Sequence, residues 1–229
     1  MKINKQFFLF IGLFFSSLIF AGEITSFTKK GNEVTFNCKD GSKLSLTINS
    51  SSVVKVWFDQ SGKFSRQNPS FAIVNDQLEN VGDISVNEEP SAYEIFTSKI
   101  RIRVNKNPMQ LQIFDKWQKL IFSDFNEKGH VPSGKSVKSY KNLRSDEQFF
   151  GLGEKTGTLN RRGKNYKMWN SDKPCYSTTE DPIAKSIPFF MSSYNYGIFL
   201  DNTYKTEFKF GTESQDYYSF EAPDGAFVY

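Results

Sequence analysis

The stretch "KIRIRVNKNPMQLQIFDKWQKLIFSD", Lys99 to Asp124, decides the fold class. Ile100, Ile102 and Val104 alternate with Lys99, Arg101 and Arg103. A period of two places one set on a packed face and the other in water, as in an antiparallel strand. "NKNP" interrupts the run, "QLQIF" and "KLIFSD" resume it, and "DKWQ" between them reads as a hairpin connection. Working outward, "SKLSLTI" sets Leu44, Leu46 and Ile48 against Lys43, Ser45 and Thr47. "YGIFL", "TEFKF" and "YYSFEA" continue the pattern towards the C-terminus. The breaks "KKGN", "DQSGK", "NEKGHVPSGK" and "APDG" hold residues that supply turn dihedrals or end ladders. No segment beyond residue 21 has a helical period. The expectation is an all-β, antiparallel β-sandwich. "FSRQNPSFAIVNDQLENVGD", Phe64 to Asp83, reads as a long loop or an irregular edge strand.

Residues 1–21 stand apart. Lys2 and Lys5 precede an apolar run from Phe7 to Phe20, and Ala21 offers a small residue for cleavage. This is the pattern of a signal peptide, and the run falls short of the about 20 apolar residues of a membrane span. The chain is therefore expected to be exported, periplasmic or secreted, with no membrane contact after cleavage and one sandwich domain over 22–229. The formal charge of +4 falls to +2 without Lys2 and Lys5, which gives no electrostatic case for nucleic acid. The two cysteines, Cys38 and Cys175, lie far apart, and nothing in the sequence fixes whether they pair. Two cysteines and the single His130 do not make a zinc constellation, and His130, in the turn-rich "KGHVPSGK", reads as a solvated loop residue.

The longest poorly alternating region runs from about 151 to 187. Loops of that length on a rigid β scaffold commonly carry function. It contains most of "FFGLGEKTGTLNRRGKNYKMWNSD", Phe149 to Asp172. Glycines at 151, 153 and 157 miss the dinucleotide fingerprint, whose third glycine would stand at Thr156. "GTLNRRGKN" misses the phosphate-binding loop by one residue, with Asn165 where a serine or threonine is required. Gly151 and Gly153 read instead as strand-end turns that glycine makes cheaply. Arg161, Arg162 and Lys164 read as a solvated face or as partners of nearby carboxylates. "YKMWNSD" combines an indole, an amide and a carboxylate, which suits the apolar face and the hydroxyls of a sugar. Trp169 as a core residue is the plainer alternative.

Four elements together resemble the N-terminal β-sandwich region of glycoside hydrolase family 31, and its bacterial α-glucosidases in particular. They are the Phe-Gly-Leu-Gly-Glu turn at Phe150–Glu154, Trp-Asn-Ser-Asp at Trp169–Asp172, Lys-Ser-Ile-Pro-Phe-Phe at Lys185–Phe190 and Tyr-Gly-Ile-Phe-Leu-Asp-Asn at Tyr196–Asn202. The match is close from about Asp146 to Gly211; from Glu23 to Arg144 it is one of strand pattern. The resemblance implies a galactose-mutarotase-like sandwich, truncated before a (β/α)8 barrel of about 250 residues. It implies a retaining α-glucosidase that removes terminal α-linked glucose from oligosaccharides without cofactor or metal. Two carboxyl groups about 5–5.5 Å apart do that chemistry, and in the family both belong to the barrel. No catalytic residue is therefore expected in this chain, which on its own should be inactive, with that barrel as its partner. "GAFVY" reads as a strand cut partway, its end at Tyr229 natural or a truncation.

One role carries over by resemblance: Asp172, on a loop with Trp169, Asn170 and Ser171, contacts the sugar on the leaving-group side. A turn aspartate that caps local N–H groups is the alternative. Gly151, Gly153 and Glu154 are expected to shape the turn, Pro188, Phe189 and Phe190 to end and pack a strand, and Tyr196 to Leu200 to fill the core. Rival readings are a free-standing carbohydrate-binding sandwich, or an α-xylosidase or α-glucosyl transferase of the same family. Sugar and linkage preference and oligomeric state are not legible.

Overall fold

A computed structural model of the chain describes residues 22–65, 70–73, 81, 84–126 and 128–229. The expected signal peptide at 1–21, and most of the ambiguous stretch from Phe64 to Asp83, lie outside the described residues. The described residues contain strands and turns and no helix, which bears out the all-β expectation.

The strands, in chain order, begin with β1 (Ile24–Lys30), β2 (Glu33–Cys38), β3 (Lys43–Ile48) and β4 (Val54–Asp59). Then come β5 (Val86–Glu88), β6 (Ala92–Phe96), β7 (Ile100–Lys106), β8 (Met109–Asp115) and β9 (Leu120–Ser123). β10 (His130–Ser133), β11 (Ser136–Asn142), β12 (Phe149–Gly153), β13 (Asn165–Met168) and β14 (Ser186–Ser192) follow. β15 (Tyr196–Phe199), β16 (Thr206–Phe210), β17 (Tyr217–Ala222) and β18 (Phe227–Val228) complete the order. The alternation read from the sequence is realised: in β7, Ile100, Ile102 and Val104 are buried while Arg101 and Arg103 lie outward, salt-bridged to Glu94. "DKWQ" is the β8–β9 turn, where the Asp115 carboxylate accepts from the Trp117 and Lys119 N–H groups at 2.9 Å each.

Among the described residues every paired strand runs antiparallel, in four sheets ordered β1-β2-β3-β4-β18, β5-β6-β7-β8-β9, β10-β11-β17-β16-β13 and β12-β14-β15. Two links gather them into two layers. The Asp201 N–H donates to the Val228 carbonyl at 2.8 Å, which joins the β15 end to β18. An isolated bridge between Asp124 and Lys141 joins the β9 end to β11.

Aromatic rings fill the space between layers. Phe149 of β12 stacks on Phe210 of β16 at 4.5 Å and lies 5.0 Å from Tyr218 of β17. Phe190 of β14 meets Phe208 and Phe210 edge-on. At the other end, Phe36 of β2 lies 5.3 Å from Tyr93 of β6. Each fully buried Phe contributes about 1.5–3 kcal/mol by leaving water, and oriented ring pairs add about 0.5–1.5 kcal/mol. These rings hold the face that positions the site.

A polar cluster is also buried between the layers. Lys141, with no solvent exposure, donates to Asp124 and, at 2.8 Å, to the Tyr229 hydroxyl. His130 Nε2 shares a 3.0 Å hydrogen bond with the same hydroxyl, and its ring stacks on Phe58 at 5.0 Å. This corrects the reading of His130 as a solvated loop residue: it opens β10 and is 1% exposed. The short β10–β11 hairpin turns the histidine inward, where an aromatic wall and a phenol accommodate it. Burial first, and then the Lys141 charge, push the His130 pKa down to about 3. Burial lowers the Lys141 pKa, and the Asp124 carboxylate opposes that. Cys38 is buried, Cys175 is exposed, and the two are free thiols.

Two outcomes follow. Asp124→Ala strands the Lys141 ammonium without its counter-charge and costs about 3–5 kcal/mol in urea unfolding, more than the double variant Lys141→Met/Asp124→Leu. His130 binds its proton more weakly folded than unfolded, so stability falls as pH drops from its unfolded pKa of about 6.5 towards about 3. His130→Gln should flatten the stability profile between about pH 6.5 and 5, where carboxylates change little.

Candidate functional site

Gly151 and Gly153 allow β12 to lie against β14. Gly151 has φ +125°, and a Cβ there would meet the Phe189 carbonyl oxygen at 2.6 Å; one on Gly153, at φ +77°, would meet the Lys185 oxygen at 2.7 Å. The register slips between these two residues, a bulge that turns Leu152 fully inward. The strand-end reading holds for Gly153, the last residue of β12, whereas Gly151 lies inside that strand, and Pro188, Phe189 and Phe190 lie within β14 rather than ending it. Phe190 is buried and Phe189 is 40% exposed. Of the expected core filling between Tyr196 and Leu200, Ile198 and Leu200 are buried, Tyr196 and Phe199 half-buried and Gly197 exposed.

The stretch from 151 to 187 is not one loop. Its first residues belong to β12, its last to β14, and β13 crosses it by pairing with β16. Two parts lie outside strands, 154–164 and 169–185, and the second is zipped at its base onto the entry to β14. The Trp169 N–H donates to Ser186 Oγ at 3.1 Å, Asn170 Oδ1 accepts from the Ser186 N–H at 2.8 Å, and the Ser171 N–H donates to the Ile183 carbonyl at 3.3 Å. A Lys173–Glu180 ion pair crosses the lobe just beyond.

All four residues expected to contact sugar therefore sit together at one rim. Trp169 is 52% exposed, which sets aside its reading as a core residue. Asn170 is exposed and fastens the loop through its carbonyl oxygen; Ser171 is half-buried and is held through its backbone. Asp172 is exposed, and among the described residues its carboxylate forms no hydrogen bond or ion pair. It does not cap local N–H groups, so both oxygens are open to accept from outside.

Sequence reasoning missed the groups that brace this loop. Lys155, its side chain wholly buried, donates to Asp181 Oδ1 at 2.7 Å, the Lys167 carbonyl at 2.9 Å and Ser186 Oγ at 3.2 Å. Asp181 Oδ2 accepts from the Lys167 N–H at 2.6 Å. One lysine so ties the β12 exit, β13, the loop and β14. Its position just after the glycine turn was the only signal.

The basic run also differs from expectation. Arg161, 6% exposed, donates to the carbonyls of Gly151 at 3.1 Å and Thr158 at 2.9 Å, and Arg162 to those of Arg144 at 2.7 Å and Glu147 at 3.0 Å. They satisfy backbone acceptors rather than carboxylates: the Gly151 carbonyl at the bulge, and the carbonyls of Arg144, Glu147 and Thr158 in the turns that flank β12. Lys164 is exposed as expected.

An open cleft of about 390 Å³ elsewhere on the surface, whose lining includes Trp57 and Tyr204, offers less chemistry. Its Asn202 amide is spent on the carbonyls of Asp224 and Ala226, and its Asp224 carboxylate on Gly225 and Lys135. Among the described residues no group of three or more His, Cys, Asp or Glu gathers as metal ligands would.

Residues 43–209 match the profile of the glycosyl hydrolase 31 N-terminal galactose mutarotase-like domain. The chain belongs to glycoside hydrolase family 31. The family 31 domain is 61% identical to a dextranase of Flavobacterium johnsoniae solved with isomaltotriose, over 91% of this chain and 26% of that one, with a TM-score of 0.89. It is 32% identical to alpha-glucosidase 2 of Bacillus thermoamyloliquefaciens, over 91% of this chain and 26% of the relative. An isomaltosyltransferase of Sporosarcina globispora is 25% identical over 88% of this chain and 19% of its own. The chain thus spans about a quarter of the length of the first two relatives.

Asp172→Ala should leave Tm unchanged, since no contact is lost, whereas Gly151→Ala should cost about 2–4 kcal/mol by thermal or urea unfolding, from the forced φ and the 2.6 Å clash. A fall in Tm for the aspartate variant comparable to the glycine variant would contradict the described loop.

Proposed function

We propose that this chain is the N-terminal domain of an exported, retaining glycoside hydrolase that cleaves α-glucosidic bonds in oligosaccharides, and that α-1,6-linked glucan is its substrate class. The observation that carries the linkage is the 61% identity, over 91% of the chain, to the dextranase solved with isomaltotriose. The observation that carries the role is the unspent Asp172 carboxylate on a braced rim beside an exposed indole.

In this reading the bond is broken on a barrel domain by two carboxyl groups, one attacking the anomeric carbon and the other protonating the leaving oxygen. The chain described here contributes orientation. Asp172 accepts hydrogen bonds from two hydroxyls of the leaving-group sugar, and Trp169 offers a flat surface to its C–H face. Charge-assisted bonds of this kind are worth about 1.5–3 kcal/mol each. They fix the departing oxygen relative to the acid, which lowers the entropic part of the barrier. The basic head and apolar run at 1–21 support export to the periplasm or medium.

A second reading keeps the family and changes the product. The 32% identity to alpha-glucosidase 2 favours an enzyme that removes terminal glucose. Dextran digestion by the chain joined to its barrel separates the two. Isomalto-oligosaccharides of mixed length support the first reading, and glucose alone the second. No new reducing ends from either dextran or isomaltotriose would overturn both. The chain alone should release nothing above blank, from these substrates or from a nitrophenyl α-glucoside. In the joined enzyme, Asp172→Ala should lower kcat/KM by about ten- to a hundredfold with Tm unchanged; an unaltered kcat/KM removes the aspartate's role.

A further inference from the structure

The loop over 169–185 is pinned at one atom. Lys155 follows the glycine turn, and its side chain is wholly buried. An ammonium group has three N–H donors. Here they go to three acceptors: the Lys167 carbonyl at 2.9 Å, Asp181 Oδ1 at 2.7 Å and Ser186 Oγ at 3.2 Å. The first lies on the arm that leads into the loop, the other two on the arm that leads out. Both partners on the second arm also reach back to the first. Asp181 Oδ2 accepts from the Lys167 N–H at 2.6 Å, and Ser186 Oγ accepts from the Trp169 N–H at 3.1 Å. The two arms are thus cross-linked twice, with the lysine charge at the junction. From the next residue, the Thr156 hydroxyl donates to the Glu180 carbonyl at 2.8 Å and adds a second tie from the same turn.

The strands do not need this group. β12, β13 and β14 are held by their own ladders and by the rings between the layers. A buried ammonium is costly unless it is fully paired, and an apolar residue of similar length would fill the same space without that cost. What the lysine alone supplies is a fixed distance between the arms of the loop. Asp172 lies between those arms and has no tether of its own: among the described residues its carboxylate forms no hydrogen bond or ion pair. Its position is inherited from the backbone on either side, and a group that must meet substrate within about 0.5 Å needs such support.

We propose that Lys155 is a positioning residue for the reaction, setting Asp172 against the sugar that leaves. The inference rests on the function proposed above and deepens it by naming the group that sets the geometry of that site. It has a chemical signature. A substrate whose leaving group carries no hydroxyls makes no use of Asp172, and so makes no use of the lysine. α-Glucosyl fluoride is such a substrate, because its departing fluoride presents no hydroxyl to the carboxylate. Isomaltotriose departs as a sugar and depends on both residues.

The experiment measures kcat/KM on both substrates for the enzyme with its catalytic domain, as wild type, Lys155→Met, Asp172→Ala and the double variant. For Lys155→Met the expected result is a loss of about tenfold on isomaltotriose and a change of less than about twofold on α-glucosyl fluoride, with the double variant no worse than Asp172→Ala. Equal losses on the two substrates, as a general loss of folded enzyme would give, would overturn the proposal. Losses that multiply in the double variant would overturn it too. If Asp172→Ala lowers isomaltotriose cleavage and Lys155→Met does not, the function proposed above stands and the role of the lysine falls. If Asp172→Ala leaves isomaltotriose cleavage unaltered, the role of the aspartate falls and that of the lysine with it. Where Lys155→Met does not fold, Asp181→Asn removes the counter-charge at nearly constant size and is read by the same criteria.

Discussion

A methyl group on Gly151 would sit 2.6 Å from the carbonyl oxygen of Phe189. That approach of β12 to β14 governs the rest of the site. It seats Phe149 and Phe190 on the rings of Phe210 and Tyr218, and it directs Leu152 inward at the bulge. It also leaves carbonyls at the bulge outside the ladder, and Arg161 is buried to satisfy one of them. The chain then leaves β12 at Gly153 on a path that brings Lys155 under β13 and the start of β14. The loop from Trp169 to Ser171 is zipped to that same strand end. A loop without regular secondary structure acquires a fixed base because two backbones touch nearby.

The acidic groups divide by what they have to do. Glu147 and Asp124 are buried and fully engaged: Glu147 accepts from Ser192 at 2.5 Å and Tyr196 at 2.6 Å, and Asp124 from Lys141 and from the Leu111 N–H at 2.8 Å. Asp181 is held between Lys155 and Lys167. Asp172 is not committed in this way. A carboxylate with its lone pairs free, on a base braced by two ion pairs nearby, is pre-organised to accept hydroxyl groups.

The strands were legible because period-two burial is a local property: Ile100, Ile102 and Val104 announce their face without reference to any partner. The two glycines were legible because few other residues tolerate their backbone. The buried polar groups were not. Lys141 alternates with Val137 and Ser139 on the inner face of β11, but a lysine there reads as outward unless its counter-charge is known. That counter-charge, Asp124, lies on another strand, and the phenol that completes the cluster comes from Tyr229. His130 was misread for the same reason, and Arg161 because its partners are backbone carbonyls at the bulge and in the turn that follows β12. The four residues of the rim were named from resemblance and chemistry together. Their shared position is a consequence of Ser186, which the sequence did not single out.

The account turns on where the Asp172 carboxylate lies when a glucan is bound. A crystal structure of the whole enzyme with an isomalto-oligosaccharide spanning the cleavage point tests this most directly. The account predicts both Asp172 oxygens at hydrogen-bond distance, about 2.7–3.0 Å, from hydroxyls of the leaving-group sugar. A bound oligosaccharide with Asp172 facing solvent, beyond about 6 Å from any hydroxyl and with no bridging water, would contradict it.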